Sequence, residues 1–203
     1  MLDQSNQIMD NTRRTQQLNI LRSYYLFLVF TFLPAFKGFT QQKFKTKQGE
    51  IAFFSSTPIE DIKAKNKKVA SILREDGKVV FVVPMNQFNF PIPLMQAHFN
   101  ENYVDSEKFP HSFFDGYVEG ITKDQYTKNG IYPVKISGKL TIKGTTKQIN
   151  ERGKIVVKDA KPNAICVFEI QLDDYKIKIP KIMYQKIAQT IRISVNISYE
   201  KVN

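Results

Sequence analysis

The chain has one cysteine, Cys166, and two histidines, His98 and His111. A single cysteine excludes an intrachain disulfide framework. Cys166 lies in the apolar run Ala164–Ile170 and is expected to behave as a small buried hydrophobe. The histidines lack a metal-ligand spacing such as H-x-x-x-H, so no metal site is expected. Ser55, Ser56 and Ser112 have no recognisable His and acid arrangement for nucleophilic catalysis. Asp173 and Asp174 are adjacent, and on a strand they face opposite ways, which is poor geometry for a carboxylate pair. Gly144-Thr145-Thr146-Lys147 lacks the spacing of a phosphate-binding loop and reads as a hairpin turn. No catalytic residue, no cofactor and no enzymatic activity are therefore expected. Internal repeats, low-complexity tracts and dividing linkers are absent too, so the bulk of the 203 residues reads as one domain.

Basic residues outnumber acidic ones by 30 to 19, a formal net charge of +11. The first 40 residues hold four basic and two acidic side chains, which leaves 26 against 17, or +9, for the rest. There is no Arg-rich block, helix-turn-helix pattern or zinc-finger spacing, and the lysines are spread along outward strand positions and loops. No nucleic-acid partner is expected. The charge reads as a solvated surface, with peripheral contact to an anionic membrane as the sharper alternative.

Residues 1–40 differ in kind from residues 41–203. Arg13, Arg14 and Arg22 precede an apolar run of 13 residues, Tyr24–Phe36, which is shorter than the roughly 20 that a membrane span needs. A basic region followed by a short apolar run predicts a secretory signal peptide, cleaved near Thr40, and a secreted or periplasmic protein. An uncleaved N-terminal anchor helix is the alternative. The boundaries expected are residues 1–40 for the leader and 41–203 for the domain.

The rest of the sequence is dominated by alternation. From Val134 to Lys143, Val134, Ile136, Gly138, Leu140 and Ile142 point one way and Lys135, Ser137, Lys139, Thr141 and Lys143 the other. That pattern is a strand dry on one face and wet on the other. Similar runs are read at 50–55, 59–64, 68–74, 78–85, 113–121, 147–158, 164–172 and 190–202. Glu75-Asp76-Gly77 marks a hairpin between two of them. Lys161-Pro162-Asn163 reads as another turn. Val79–Val83 is apolar on both faces, which suggests a strand covered on both sides or lying against a helix. Pro91 and Pro93 exclude an internal strand, and helical spacing follows from Leu94 to Tyr103. About eight or nine strands with one short helical insertion predict an all-β fold, an antiparallel sandwich or barrel.

Three segments together resemble the YceI-like family of secreted lipid-binding proteins. The first is Phe88–Pro110, with Phe88, Met95, His98, Phe99, Tyr103, Ser106, Phe109 and Pro110. The second is Tyr132–Lys147, with Gly138, Leu140, Gly144, Thr146 and Lys147. The third is Phe168–Ile177, with Phe168, Leu172, Tyr175 and Ile177. Many members carry Arg-x-x-Phe-Gly in the third segment, where this chain has Leu172-Asp173-Asp174-Tyr175. The resemblance implies a lipocalin-like antiparallel β-barrel of about eight strands, extended by a short helix, that binds a polyisoprenoid-type lipid without catalysis. A filled-core envelope protein acting through its basic surface is the alternative. The expected cavity residues are Phe88, Met95, His98, Phe99, Phe109, Phe113, Ile136, Gly138, Leu140, Phe168, Ile193 and Val195. For the phenylalanines, ordinary core and cavity wall stay open. His98 packs, bonds to backbone or touches a headgroup. Gly138 leaves room either for a bent strand or for a guest.

Overall fold

The computed structural model describes residues 42–202, so the expected leader lies outside the described residues. The strands are β1 (Lys43–Ser56), β2 (Asp61–Arg74), β3 (Lys78–Pro84), β4 (His111–Glu119), β5 (Gly130–Ile142), β6 (Thr145–Lys158), β7 (Lys161–Gln171), β8 (Thr190–Ser198) and a two-residue β9 (Glu200–Lys201). Each of the first eight pairs antiparallel with its neighbour, and β8 and β2 both pair with β1, which closes the barrel. Closure is how a sheet with one apolar face hides that face on itself. β9 adds a short pairing to the start of β1 at Phe44 and Lys45.

The alternation read in the sequence becomes the inside and outside of this barrel. On β4, Ser112, Phe114, Gly116 and Val118 are buried, while His111, Phe113, Asp115, Tyr117 and Glu119 are exposed. β5 pairs with β6 over its whole length, from Gly130↔Val157 to Ile142↔Thr145. The tight turn at Lys143-Gly144 has φ values of 48° and 70°. Two successive positive φ values match the right-handed twist of a hairpin.

Three boundaries differ from the sequence reading. The runs at 59–64 and 68–74 are one strand, β2, whose polar middle interrupts the alternation. Asn66 sits there fully buried, its amide nitrogen donating to the Pro84 carbonyl at 2.7 Å and its amide oxygen accepting from Lys68 N–H at 2.8 Å. Both hydrogen bonds satisfy a polar group that the strand pattern alone would place outside. The run at 50–55 is the second half of a longer strand, β1, which starts at Lys43. The turn expected at Lys161-Pro162-Asn163 lies at Asp159-Ala160, both at positive φ, and Pro162 and Asn163 belong to β7. β3 is buried on one face only, at Val79 and Val83, and Val80 and Val82 behind it are half-buried.

The connections alternate between the two ends of the barrel. One end carries the β2–β3, β4–β5 and β6–β7 connections. It is plugged. Phe44, Leu73, Val69 and Ile197 are wholly buried there, and Tyr126, swung in by a short turn at Lys123–Tyr126, sets its ring 5.7 Å from that of Phe44. Tyr199 reaches across to Ser71 at 2.8 Å. The other end carries the β1–β2 turn, the long β3–β4 insertion, the Lys143-Gly144 turn and the β7–β8 link. The insertion contains α1 (Pro93–His98), which opens on Pro93, where a missing N–H costs nothing. It continues into one wider turn at Phe99–Tyr103, closed by Val104 N–H donating to the Phe99 carbonyl at 3.0 Å.

Candidate functional site

Between the plug and the far end lies a cavity of about 270 Å³ with an almost wholly apolar wall. For scale, an engineered apolar cavity of about 150 Å³ stays dry and takes up benzene. All eight strands contribute. Tyr199, Leu73, Val118 and Val134 form the inner wall next to the plug, and Ile136, Leu140, Ile193 and Val195 form the sides. Two of the polar groups that reach the wall between the strands are already engaged. Ser55 Oγ accepts from Ala188 N–H at 2.9 Å, and Ser112 Oγ donates to Met85 Sδ at 3.0 Å. Glu60, His98 and Lys186 lie at the end opposite the plug.

Four phenylalanines gather where the insertion covers the strands. Phe53 of β1 lies within 5.4–5.5 Å of Phe88, Phe90 and Phe99, measured between ring centres, and is stacked on Phe99. Phe88 and Phe90 approach Phe99 at 5.6 and 5.1 Å. Aromatic pairs at these separations add to the stabilisation that burial provides. The cluster fixes the insertion against β1 and forms part of the cavity wall at the same time.

Nine of the twelve expected cavity residues line the wall with no conflict of orientation: Phe88, Met95, His98, Phe99, Ile136, Leu140, Phe168, Ile193 and Val195. His98, on the last turn of α1, is largely exposed at the mouth. Three residues differ. Phe113 borders the cavity, but its place on β4 turns it outward, 45% exposed, with its ring 6.1 Å from His111. Phe109 is not part of the wall; it lies against Gly144 of the β5–β6 turn, under Lys108. Gly138 is not part of the wall either. It pairs with Gly116, and a Cβ on it would stand 2.5 Å from Gly116 Cα and 2.8 Å from Phe114 Cζ. The ring of Phe114 crosses both glycines, so the missing side chain makes room for the protein's own aromatic.

Sequence reasoning missed Phe53 as the centre of the aromatic cluster, and the lining residues of β2 and β3, among them Ile62, Phe81 and Val83. Phe53 could have been found from the period of β1, in which Ile51, Phe53 and Ser55 share a face.

One seam of the barrel is incomplete. The β6–β7 ladder runs from Lys158↔Lys161 to Gly153↔Cys166. From there to the mouth, among the described residues, β6 pairs only with β5, and β7 only with β8. Lys147 of β6 reaches across to Asp174 at 3.0 Å. Leu172, Tyr175 and Ile177 close this corner as buried residues, turned by a left-handed Lys176 at φ 55°. Glu151 reaches the cavity wall at the seam. Cys166, where the ladder stops, donates from Sγ to the Arg152 carbonyl at 3.4 Å. Burial first, and the charge of Glu151 second, push its thiol up to about 11. Such a thiol is a poor nucleophile near neutral pH. Among the described residues no cluster of three or more His, Cys, Asp or Glu side chains gathers that could hold a metal ion.

Comparisons with known proteins agree with this architecture. BcnA of Burkholderia cenocepacia superposes with a TM-score of 0.63 at 13% identity, over 75% of this chain and 96% of that one. A polyisoprenoid binding domain from Saccharophagus degradans, described as implicated in plant cell wall breakdown, gives 0.70 at 13% identity, over 80% and 100%. The Campylobacter jejuni YCEI protein gives 0.50 at 18% identity, over 62% and 72%. At such identities the likeness establishes the fold. No curated protein matches the chain. The sequence profile of the YceI-like domain matches residues 30–199, most of the chain, and on that match the chain belongs to the YceI-like family.

Proposed function

We propose that this protein binds and carries an apolar, polyisoprenoid-type lipid inside its barrel and catalyses no reaction. The observation that carries the reading is the apolar cavity of about 270 Å³ inside a barrel plugged at one end. Burying a methylene contributes about 0.8 kcal/mol, so each five-carbon prenyl unit is worth about 4 kcal/mol. Four such units, about 16 kcal/mol, offset the whole of the roughly 4–15 kcal/mol that association costs, and two already offset its lower half, before any headgroup contact. A wall of branched aliphatic and aromatic side chains suits a branched chain, which needs no directional partner. The Saccharophagus relative, a polyisoprenoid binding domain by name, points the same way. The cavity weighs against the filled-core alternative.

Secretion to the cell envelope is part of the proposal and rests on the basic-then-apolar order of Arg13–Phe36. N-terminal sequencing of protein recovered from the envelope is expected to begin near Thr40. For the ligand, native mass spectrometry with lipid extraction, and uptake of a dansyl-labelled farnesyl probe delivered from cyclodextrin, provide the test. Co-purified prenyl lipid or saturable one-to-one uptake supports the reading. Protein that is repeatedly lipid-free and takes up no probe overturns it.

A further inference from the structure

The end of the barrel opposite the plug carries apolar side chains that no other described residue covers. Ile59 in the β1–β2 turn is 61% exposed, Leu94 in the insertion 63%, and Ile182 in the β7–β8 link 86%. Ile92 and Tyr184 beside them are also exposed. These five come from three separate connections at one end, whereas at the plugged end the β4–β5 connection buries Tyr126 and Ile131, at the start of β5, is exposed singly. Exposed apolar residues scattered singly along the strands are ordinary, but five on three connections of one end are a surface for contact. It is also held in place. Thr57 Oγ1 donates to the Gln185 carbonyl at 2.8 Å, which ties the turn bearing Ile59 to the link bearing Ile182 and Tyr184.

The charge on that link selects the partner. From Tyr175 to Gln189 it carries Lys176, Lys178, Lys181 and Lys186, all exposed, and no acidic residue. Lys181-Ile182-Met183-Tyr184-Gln185-Lys186 thus sets an exposed isoleucine and tyrosine between lysines. Apolar tips with an aromatic, flanked by lysine, match the chemistry of an anionic bilayer surface, where the tips enter the acyl boundary and the ammonium groups meet headgroup phosphates. The link opens with Asp173 and Asp174, the latter paired with Lys147 at 3.0 Å. The other acidic residues of this end, Glu60, Asp61, Glu101, Asp105 and Glu107, lie at the β1–β2 turn and on the β3–β4 insertion, so the stretch from Lys176 to Lys186 leads the contact.

We infer that the barrel docks on anionic lipid bilayers through the β7–β8 link, Ile182 and Tyr184 foremost, with its cavity mouth toward the membrane. The unladdered β6–β7 seam leads into this same link, so a lipid leaving the bilayer would meet the cavity without crossing water. That last consequence rests on the lipid-binding reading. The docking itself does not.

The chain has no tryptophan, so one placed on the link reports its own environment. With vesicles of phosphatidylcholine and phosphatidylglycerol at low salt, free of prenyl lipid, co-sedimentation of the domain is expected, and Ile182→Trp emission is expected to shift to the blue. With phosphatidylcholine alone, binding falls several-fold. Ile182→Asp is expected to lower partition about tenfold, since it removes one buried branched side chain from the bilayer. Lys181→Glu lowers it several-fold, and added salt weakens whatever binding remains. Ile131→Asp, on β5 at the plugged end and 65% exposed, leaves partition unchanged. None of these three side chains lines the cavity, so farnesyl uptake from cyclodextrin is expected to stay intact in each variant. Uptake lost with docking intact sinks the lipid reading and spares this one. No vesicle binding, equal binding to neutral vesicles, or equal loss with Ile131→Asp overturns the docking inference. So does Ile182→Asp converting a dimer to monomers without changing vesicle binding.

Discussion

Replacing Gly138 by valine separates the two reasons a barrel strand has for keeping a glycine on its inner face. Its Cβ would sit 2.5 Å from both the Asp115 carbonyl oxygen and Gly116 Cα. Those atoms belong to the backbone of β4, so relief requires the β4–β5 ladder to move, and Phe114 must leave its place over the two glycines. Overpacking of this kind costs about 1–3 kcal/mol, occasionally more. Valine returns up to about 1 kcal/mol through strand preference and a less flexible unfolded chain. Because the clash is with backbone atoms, the cost lies at the upper end, about 3 kcal/mol, and the balance is a net loss of about 2 kcal/mol. For a domain of this size each kcal/mol lowers Tm by about 2–4 °C. Gly138→Val is therefore expected to melt about 4–8 °C below the parent by circular dichroism, with farnesyl uptake per folded molecule unchanged. An unchanged Tm together with reduced uptake would refute this: Gly138 would then be space kept for a guest.

Two further outcomes concern buried polar groups. Ser71 Oγ already donates to the Val80 carbonyl at 2.9 Å, so the Tyr199 hydroxyl must be the donor in the 2.8 Å contact between them. Ser71→Ala strands that buried donor and is expected to cost about 1–3 kcal/mol in urea unfolding, whereas Tyr199→Phe removes the donor itself and costs about 1 kcal/mol; the reverse order would show the assignment to be wrong. Cys166 is expected to react negligibly with Ellman's reagent at pH 8 in the folded state, because a thiol raised to about 11 is roughly 0.1% thiolate there. Burial likewise pushes Tyr126 and Tyr175 up to about 12. All three groups favour the neutral form when folded. Their contribution is fully present below the unfolded values of 9.0 for the thiol and 10.0 for the phenols, and is lost as pH rises from there towards 11–12. A flat Tm to about pH 8.5 that falls above it is the expected profile, and a Tm that rises over that interval would contradict the sign.

What could be read in the sequence was whatever depends on period and local chemistry. Val134 to Ile142 alternate, and the inner and outer faces of β5 follow from that spacing alone. The helical insertion announced itself through Pro91, Pro93 and the spacing of Met95 and Phe99. The buried thiol of Cys166 followed from its apolar neighbours. Signals of this kind involve residues a few positions apart, and the chain carries them whether folded or not.

What escaped the sequence depends on residues brought together from far away. Asn66 fell in the gap between the runs read at 59–64 and 68–74 because its partner, the Pro84 carbonyl, is 18 positions on. Phe113 and Phe109 looked like cavity wall by proximity to Phe99, but one position of strand phase turned Phe113 outward, and the hairpin at Gly144 claimed Phe109. The use of Gly138 required knowing that Gly116 stands opposite and Phe114 crosses both. Whether the interior is filled or hollow was likewise a question of volume. Eight inward-facing strands are compatible with either, and only the closure of β1 on β2 and β8, with the aromatic plug set at one end alone, leaves the space empty. The sequence by itself determined the strands, their wet and dry faces and the insertion. Only the tertiary structure decided which aromatics fill the barrel and which surround its cavity, because packing is a property of the space between strands.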